Sequence, residues 1–580
     1  MHCLLDEQKG MEIGETYRTR KQAKTFIGYI AQAEKESVQE EFAAGKFLSL
    51  MSDGCADSAV IEEEIIYGRQ AVKGQICVKF LGIEAVAKAN AENITSAITA
   101  GVCKGLGVEE GTWKKKLVAV STDGAAVMLG GKSGVVTRLT ADLPHVLPVH
   151  CMPHRLELSF KDAASKNPCH KKLDALLTGL YTFYHYSPLN RANLKASFEA
   201  LGKKPLMPTR ATGTRWVSHL LTALDHFLRG YSAIVQHLEQ IQSPDSTGVR
   251  SDQQAKARNY YRAATSLDVI KYAWFLSDVL AHLSNLSRKM QKTNVTMAAL
   301  HEALQSTKTV LLTYKRKPGP MLQSFGNKMT FEGRELSGDG RSFQSSHPNL
   351  IDDLVANMEN RFGHVKGGVL HATNIADFGF WPDKVNMTDF GDAAVDILVG
   401  HFKPVLEDAG VQVDKVADEW TILRSKVYQQ PDWMEFINKV TWCELNRRYF
   451  DECPNILQLV DLLLTLPAST AECERGFNHM KMIKSDWRSS LSGKSVGELM
   501  SVLLLSADIK NFDPKPAINI WFHDVQRRRR LDFMDGKTST AAEMDDTEPE
   551  EDFMCVGQGR LLSMTSKKYD DELDKDFEVE

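Results

Sequence analysis

The spacing of hydrophobic positions changes character along the chain. Residues 1–45 read as a helical lead-in with a basic cluster at Arg18-Thr19-Arg20-Lys21. The apolar runs then shorten. Residues 46–51 are compact and apolar, and 60–67 and 75–83 have the length and β-branched content of strands, parted by the turn-like pair Lys73-Gly74. Helical spacing returns over 87–106. A further strand over 116–121 ends near Asp123-Gly124, and a helix around Val135 leads to a strand at 145–150 and a helix beginning near Pro153. The first three strands are near enough in sequence to pair antiparallel, whereas the later ones need crossover helices. The expected product is an α/β layer.

A long helical pattern follows, from Trp216 to Asn446, with helices predicted over 218–240, 253–283, 294–315 and 350–362. Pro318-Gly319-Pro320 and the Gly/Ser-rich stretch 337–346 are predicted breaks. Compact apolar segments resume at 456–466, where Asp461 interrupts the run, and at 496–505. Between them Pro467 stops the preceding element. Ser469 with Glu472 three residues later predicts a capping box, and the helix that follows places Cys473, Phe477 and Met480 on one apolar stripe with Glu474 beside it. The expected fold class is α/β, one domain split by a large all-α insertion. Its expected parts are the lead-in 1–45, a first α/β part 46–215, a helical insertion 216–450, a closing segment 451–525 and a tail 526–580.

Composition narrows the functional classes. A length of 580 residues with 43% hydrophobic and 25% charged residues fits a globular protein of two to four domains. No apolar run approaches the roughly 20 residues that span a bilayer, and the first residues lack the layout of a secretory signal. No membrane partner is therefore expected. Ten cysteines without regular spacing suit reduced thiols, in nucleus or cytoplasm. The net charge of −5 conceals an asymmetry: residues 541–580 hold 14 acidic against 4 basic side chains, a charge of −10, so 1–540 carry +5. A polyanionic partner is permitted by that balance and not demonstrated by it.

Asp53 and Asp123 follow strand-like runs, where side chains of an α/β sheet project into an open crevice. An aspartate before glycine is equally a common turn residue. Together with a helical Glu474 they could supply oxygen ligands to hard divalent cations, which at a phosphodiester activate the attacking group and stabilise the leaving oxygen. Asp57 competes with Asp53 within Ser52-Asp53-Gly54-Cys55-Ala56-Asp57.

Three segments carry a resemblance. They are Ser121-Thr122-Asp123-Gly124-Ala125-Ala126-Val127-Met128-Leu129-Gly130 followed by His150-Cys151-Met152-Pro153-His154; then Thr214-Arg215-Trp216; then Leu466 to Phe477 continuing through Ile483-Lys484-Ser485-Asp486-Trp487-Arg488. In this order they resemble the hAT superfamily of cut-and-paste DNA transposases, especially its domesticated vertebrate members, from about residue 46 to 525. The resemblance implies an RNase H-like domain interrupted by a helical insertion and closed by a C-terminal dimerisation region. It implies Asp53, Asp123 and Glu474 as catalytic and metal-binding acids, with Mg²⁺ or Mn²⁺ as cofactor if the chain is active. It further implies Cys151 and His154 near bound DNA and Trp216, with Arg215, stacking on distorted bases.

Bland readings stand beside these. Cys151 and His154 could be a buried thiol and a helix-terminal imidazole, their spacing to Cys169-His170 is poor for zinc, and Trp216 could plug a core. Arg527 to Arg530 could be a localisation signal, a phosphate patch or a solvated run. Before Asp53 no Cys/His set forms the zinc finger that many hAT relatives carry, so the chain is expected either to be a fragment or to have lost it. The expected function is that of a nuclear, transposase-derived protein that forms homo-oligomers, binds DNA and retains metal-dependent strand transfer. An inactive DNA- or protein-interaction module is the alternative, and a stand-alone nuclease a third reading.

Overall fold

A computed structural model of the chain describes residues 19–56, 61–211, 213, 216–243, 250–293, 295–363, 367–384, 388–485 and 488–524. Asp57, Arg215, the run Arg527–Arg530 and the acidic tail lie outside the described residues, as do Arg18, Thr214, Asp486 and Trp487. The described residues divide into two compact units, one from 19 to 151 with 372 to 524, the other from 152 to 371.

The first unit begins with α1 (Arg20–Ala43), whose start is fixed by a capping box between Thr19 and Gln22. A meander of β1 (Leu48–Ala56), β2 (Glu62–Val72) and β3 (Gln75–Val86) follows, then α2 (Ala91–Leu106), β4 (Leu117–Thr122) and β5 (Leu147–His150). The sheet order is β3-β2-β1-β4-β5; β1 pairs antiparallel with β2 and parallel with β4. Strands appear where the apolar runs predict them. Lys73 and Gly74 have φ of 51° and 78°, the left-handed pair that a two-residue hairpin turn requires. The chief difference is length. β1 runs on to Ala56, so Asp53 lies inside the strand, opposite Ile65 of β2, and not after it.

Alternation along the strands assigns two faces. Leu48 and Leu50 of β1 and Ile66 of β2 pack with Ile94, Ile98 and Val102 of α2. Met51, Ile65 and Tyr67 point the other way, into a cluster built on Cys473, Phe477 and Met480. β4 is buried throughout, as expected of a central strand covered on both sides.

The second unit is helical apart from a two-residue ribbon, Thr330–Phe331 with Arg334–Glu335. Its main helices are α3 (Met152–Lys166), α4 (Pro168–His185), α5 (Trp216–Arg229), α6 (Leu267–Met290), α7 (Met297–Tyr314) and α8 (Arg341–Phe362). The helix predicted over 218–240 breaks at Gly230, and that over 253–283 breaks at Thr265-Ser266. At the second break Ser337 N donates to Thr265 O and Leu267 N donates to Ser337 O, so a tertiary bridge replaces the helical bonds. The Gly/Ser-rich stretch is a break only in its first half, because α8 already starts at Arg341.

Back in the first unit, α9 (Val416–Tyr428), α10 (Pro454–Thr465), α11 (Ala471–Ile483), α12 (Gly493–Leu505) and α13 (Lys515–His523) complete the chain. The last of these was not foreseen; it lies against α1. Asp461, the polar interruption in α10, accepts from Lys73 N at 2.8 Å and Gly74 N at 2.7 Å and so caps the β2–β3 turn. Among the described residues no helix is long and apolar enough to cross a membrane.

Candidate functional site

The register of the sheet places two acids beside each other. Met51 of β1 pairs with Ser121 of β4 in parallel register, and two residues beyond this rung stand Asp53 and Asp123. Neighbouring strands are about 4.8 Å apart. By strand parity Asp53 shares the face of Met51, the face that α11 covers.

α11 reaches that face because of a glycine. A Cβ on Gly476 would lie 2.3 Å from Ile65 Cδ1 and 2.8 Å from the Tyr67 hydroxyl, so only glycine lets the helix settle this close to β2. Cys473, Phe477 and Met480 are then buried against the sheet, and half-buried Glu474 comes over the ends of β1 and β4 in the first helical turn. The predicted capping box does not form. Thr470 is the N-cap without a side-chain cap bond, and Glu472 pairs with Arg475. Ser469 Oγ only approaches Ala471 N at 3.5 Å.

The electrostatics are those of crowded like charges. Burial, then the charges of Asp123, Glu64 and Glu474, push the Asp53 carboxyl up to about 8 despite the hydrogen bond it accepts from Gly54 N at 3.0 Å. Glu64 of β2 rises to about 7, chiefly through burial and then through Asp123 and Glu62, opposed by the 2.5 Å bond it accepts from the Ser52 hydroxyl. Cys473 lies in the same field; burial holds its thiol neutral.

Glu64 is a fourth acid that the sequence reading missed. Glu62-Glu63-Glu64 looks like a solvated charge run, and only its pairing across from Cys55 and Gly54 brings it inward. Glu63, on the α11 side by parity, faces Lys484 at 3.9 Å, both almost fully buried. That pair ties the far end of α11 to β2.

Asp123 keeps its turn role as well. Its Oδ1 accepts from Ala125 N at 2.9 Å, and Gly124, at φ 87°, has no room for a Cβ, which would lie 2.1 Å from His150 Nε2. The turn reading and the site reading of this residue are therefore compatible.

Hard oxygen donors of this kind suit Mg²⁺ or Mn²⁺, and a carboxyl raised by burial and then by its neighbours' charge is one that a cation would relieve. Among the described residues no three His, Cys, Asp or Glu side chains are grouped closely enough to hold one ion. An ion held by a pair of carboxylates with water, the usual manner of Mg²⁺, would not need such a group.

Residues 413–503 match the family described as the hAT family C-terminal dimerisation region. This supports membership of the hAT family. The matched stretch runs from the start of α9 into α12 and contains both Asp461 and Glu474, so the helix that brings Glu474 to the sheet belongs to it. A transposase-related chain carrying a dimerisation region is supported as a homo-oligomer.

The remaining candidates fall in different places. Cys151, buried, accepts a 3.4 Å bond at Sγ from Thr470 N, so in the first unit it braces the start of α11. His154 is half-buried in the first turn of α3 in the second unit. Half-buried Trp216, at the start of α5, has its backbone N bonded to Glu157, its ring edge-on to Phe160 and Lys161 Nζ 5.4 Å from its centroid. Cys169 and His170 take no part in a metal group; His170 packs edge-on between Phe160 and Tyr272, and burial lowers it to about 4.

Proposed function

We propose that this chain is a transposase-derived protein that acts on DNA as a homo-oligomer in the nucleus, with metal-dependent strand cleavage and transfer at Asp53, Asp123 and Glu474. In this reading the mixed sheet and its flanking helices are an RNase H-like domain, and the helical unit is its insertion, with Cys151, His154, Arg215 and Trp216 contributing to DNA contacts. The supporting observation is the convergence of Asp123, Glu64 and Glu474 on Asp53, whose carboxyl burial and then these three charges raise. Raised acids in an open site mark functional positions more often than structural ones.

Asp53 and Asp123 would hold Mg²⁺ or Mn²⁺, with Glu474 adjoining. When bound, such ions activate the attacking oxygen and stabilise the leaving oxygen of a phosphodiester. The protein's own part is proton management and position. Near neutral pH Asp53 retains its proton until a cation replaces it, so binding releases a proton and strengthens as pH rises through about 8. Glu64, held by Ser52 on the other face of the sheet by strand parity, adds to the field behind the pair. Gly476 sets the height of Glu474 above the sheet.

The alternative is an inactive interaction module, in which the same fold binds DNA or protein without cleaving it. The two readings separate on incubation of the purified chain with hairpin-forming DNA ends and Mg²⁺ or Mn²⁺. Metal-dependent nicking that falls by about 100-fold or more in Glu474→Ala supports the active reading. Nicking that survives this substitution removes the proposed site, and no nicking by the unaltered chain leaves the interaction module.

A further inference from the structure

The helical unit carries a basic groove in which two lysines meet no acid among the described residues. It lies between the C-terminal half of α6 and the middle of α7, has a volume of about 440 Å³, and is lined by Arg288, Lys289 and Lys292 on one side and by Ser306 and Thr307 on the other, with His282 at its inner end. No carboxylate lines it.

Several cations of this unit next to the groove or on its other faces are matched by acids. On the opposite side of α7, Lys308 meets Glu359 of α8 at 3.3 Å, and just past its end Lys315 meets Asp352 at 2.6 Å. Lys203 meets Glu332, Arg334 meets Glu239 and Arg361 meets Asp162. Lys289 and Lys292 meet no acid among the described residues.

The ordinary explanation for cations at a helix C-terminus is the macrodipole, and Arg288 and Lys289 do sit in the last turn of α6. A helix end offers roughly half a negative charge, against the two lysines Lys289 and Lys292 here, so the dipole does not balance the groove. His282 is held to Tyr314 at 2.8 Å and orders the inner wall.

We propose that this groove binds the phosphodiester backbone of nucleic acid. Guanidinium and ammonium groups facing hydroxyl donors are the usual set for phosphate oxygens, and they position a strand without reading its bases. An acidic protein segment would be drawn by the charge but makes less use of the Ser306 and Thr307 hydroxyls. The site rests on the DNA-partner part of the reading above and is independent of the acidic crevice.

Independence fixes the experiment. Affinity of the full chain for labelled duplex DNA is measured in EDTA over a range of salt, for the unaltered protein, for Lys289→Gln/Lys292→Gln, and for Lys315→Gln as a paired-cation control of equal charge change per site. Each phosphate-contacting lysine lost lowers the slope of log K against log salt by about 1, so the double variant loses about 2 and the control nothing. Circular dichroism and melting temperature check that the double variant is folded. An unchanged slope in the double variant, or an equal loss in Lys315→Gln, overturns the proposal. So does a double variant that loses binding to polyglutamate while holding DNA as before, an outcome that assigns the groove to an acidic protein. Because metal is absent throughout, failure here leaves the acidic site untouched, and failure of nicking leaves the groove untouched.

Discussion

Two ends of the same hairpin bury an aspartate, and they do so in opposite ways. At the turn, Asp461 receives two backbone N–H groups and rises only to about 6. At the open end, Asp53 receives one and faces three carboxylates, rising to about 8. Asp278 in the helical unit follows the first pattern, accepting from Met321 N and Leu322 N. A buried acid that is answered by donors holds structure together. One answered by other acids destabilises the fold unless a cation or a proton is present, and in the proposed function that difference separates a scaffold residue from a site residue.

The comparison breaks most readily at Asp461. Asp461→Ala strands two turn amides and is expected to cost about 3 kcal/mol, read by urea unfolding. A loss below about 1 kcal/mol would mean that the turn does not depend on α10. Next comes the seat of α11. Gly476→Ala gains about 1 kcal/mol of helix propensity but forces the new methyl into Ile65 and Tyr67, for a net loss of about 1–2 kcal/mol and, in the active reading, reduced nicking through the displaced Glu474. A stabilised Gly476→Ala would show that the helix stands off the sheet. The smallest effect belongs to Ser469→Ala, expected below about 0.5 kcal/mol, whereas a working cap would cost about 1 kcal/mol.

That last case shows where the sequence misleads. Ser469 and Glu472 have the spacing of a capping box, but Arg475 is one turn on and takes the carboxylate. The apolar run in β4, the left-handed Lys73-Gly74 turn and the stripe on α11 were legible because each depends on local chemistry. So was Asp123, whose turn residues mark the end of its strand. Asp53 was expected after its strand and lies within it, since nothing local shows that β1 continues past Met51 while β2 is there to pair with it. Glu64 was invisible, because its burial comes from register with Gly54 and from Ser52. Breaks such as Thr265-Ser266 depend on two bonds to Ser337, about 70 residues away in the chain.

The central claim is that Asp53 is a destabilising acid awaiting a cation, and its pH dependence tests this. Its folded value lies above the unfolded one, so its favourable contribution is complete below about pH 4 and lost as pH rises through about 8. Melting temperatures of the full chain and of Asp53→Asn, taken from pH 5 to 8.5 with and without Mg²⁺ or Mn²⁺, give the answer. The account predicts that the unaltered chain loses stability with rising pH more steeply than Asp53→Asn, and that metal restores it at pH 8 only in the unaltered chain. Parallel pH curves for the two proteins, with the same response to metal, would contradict it.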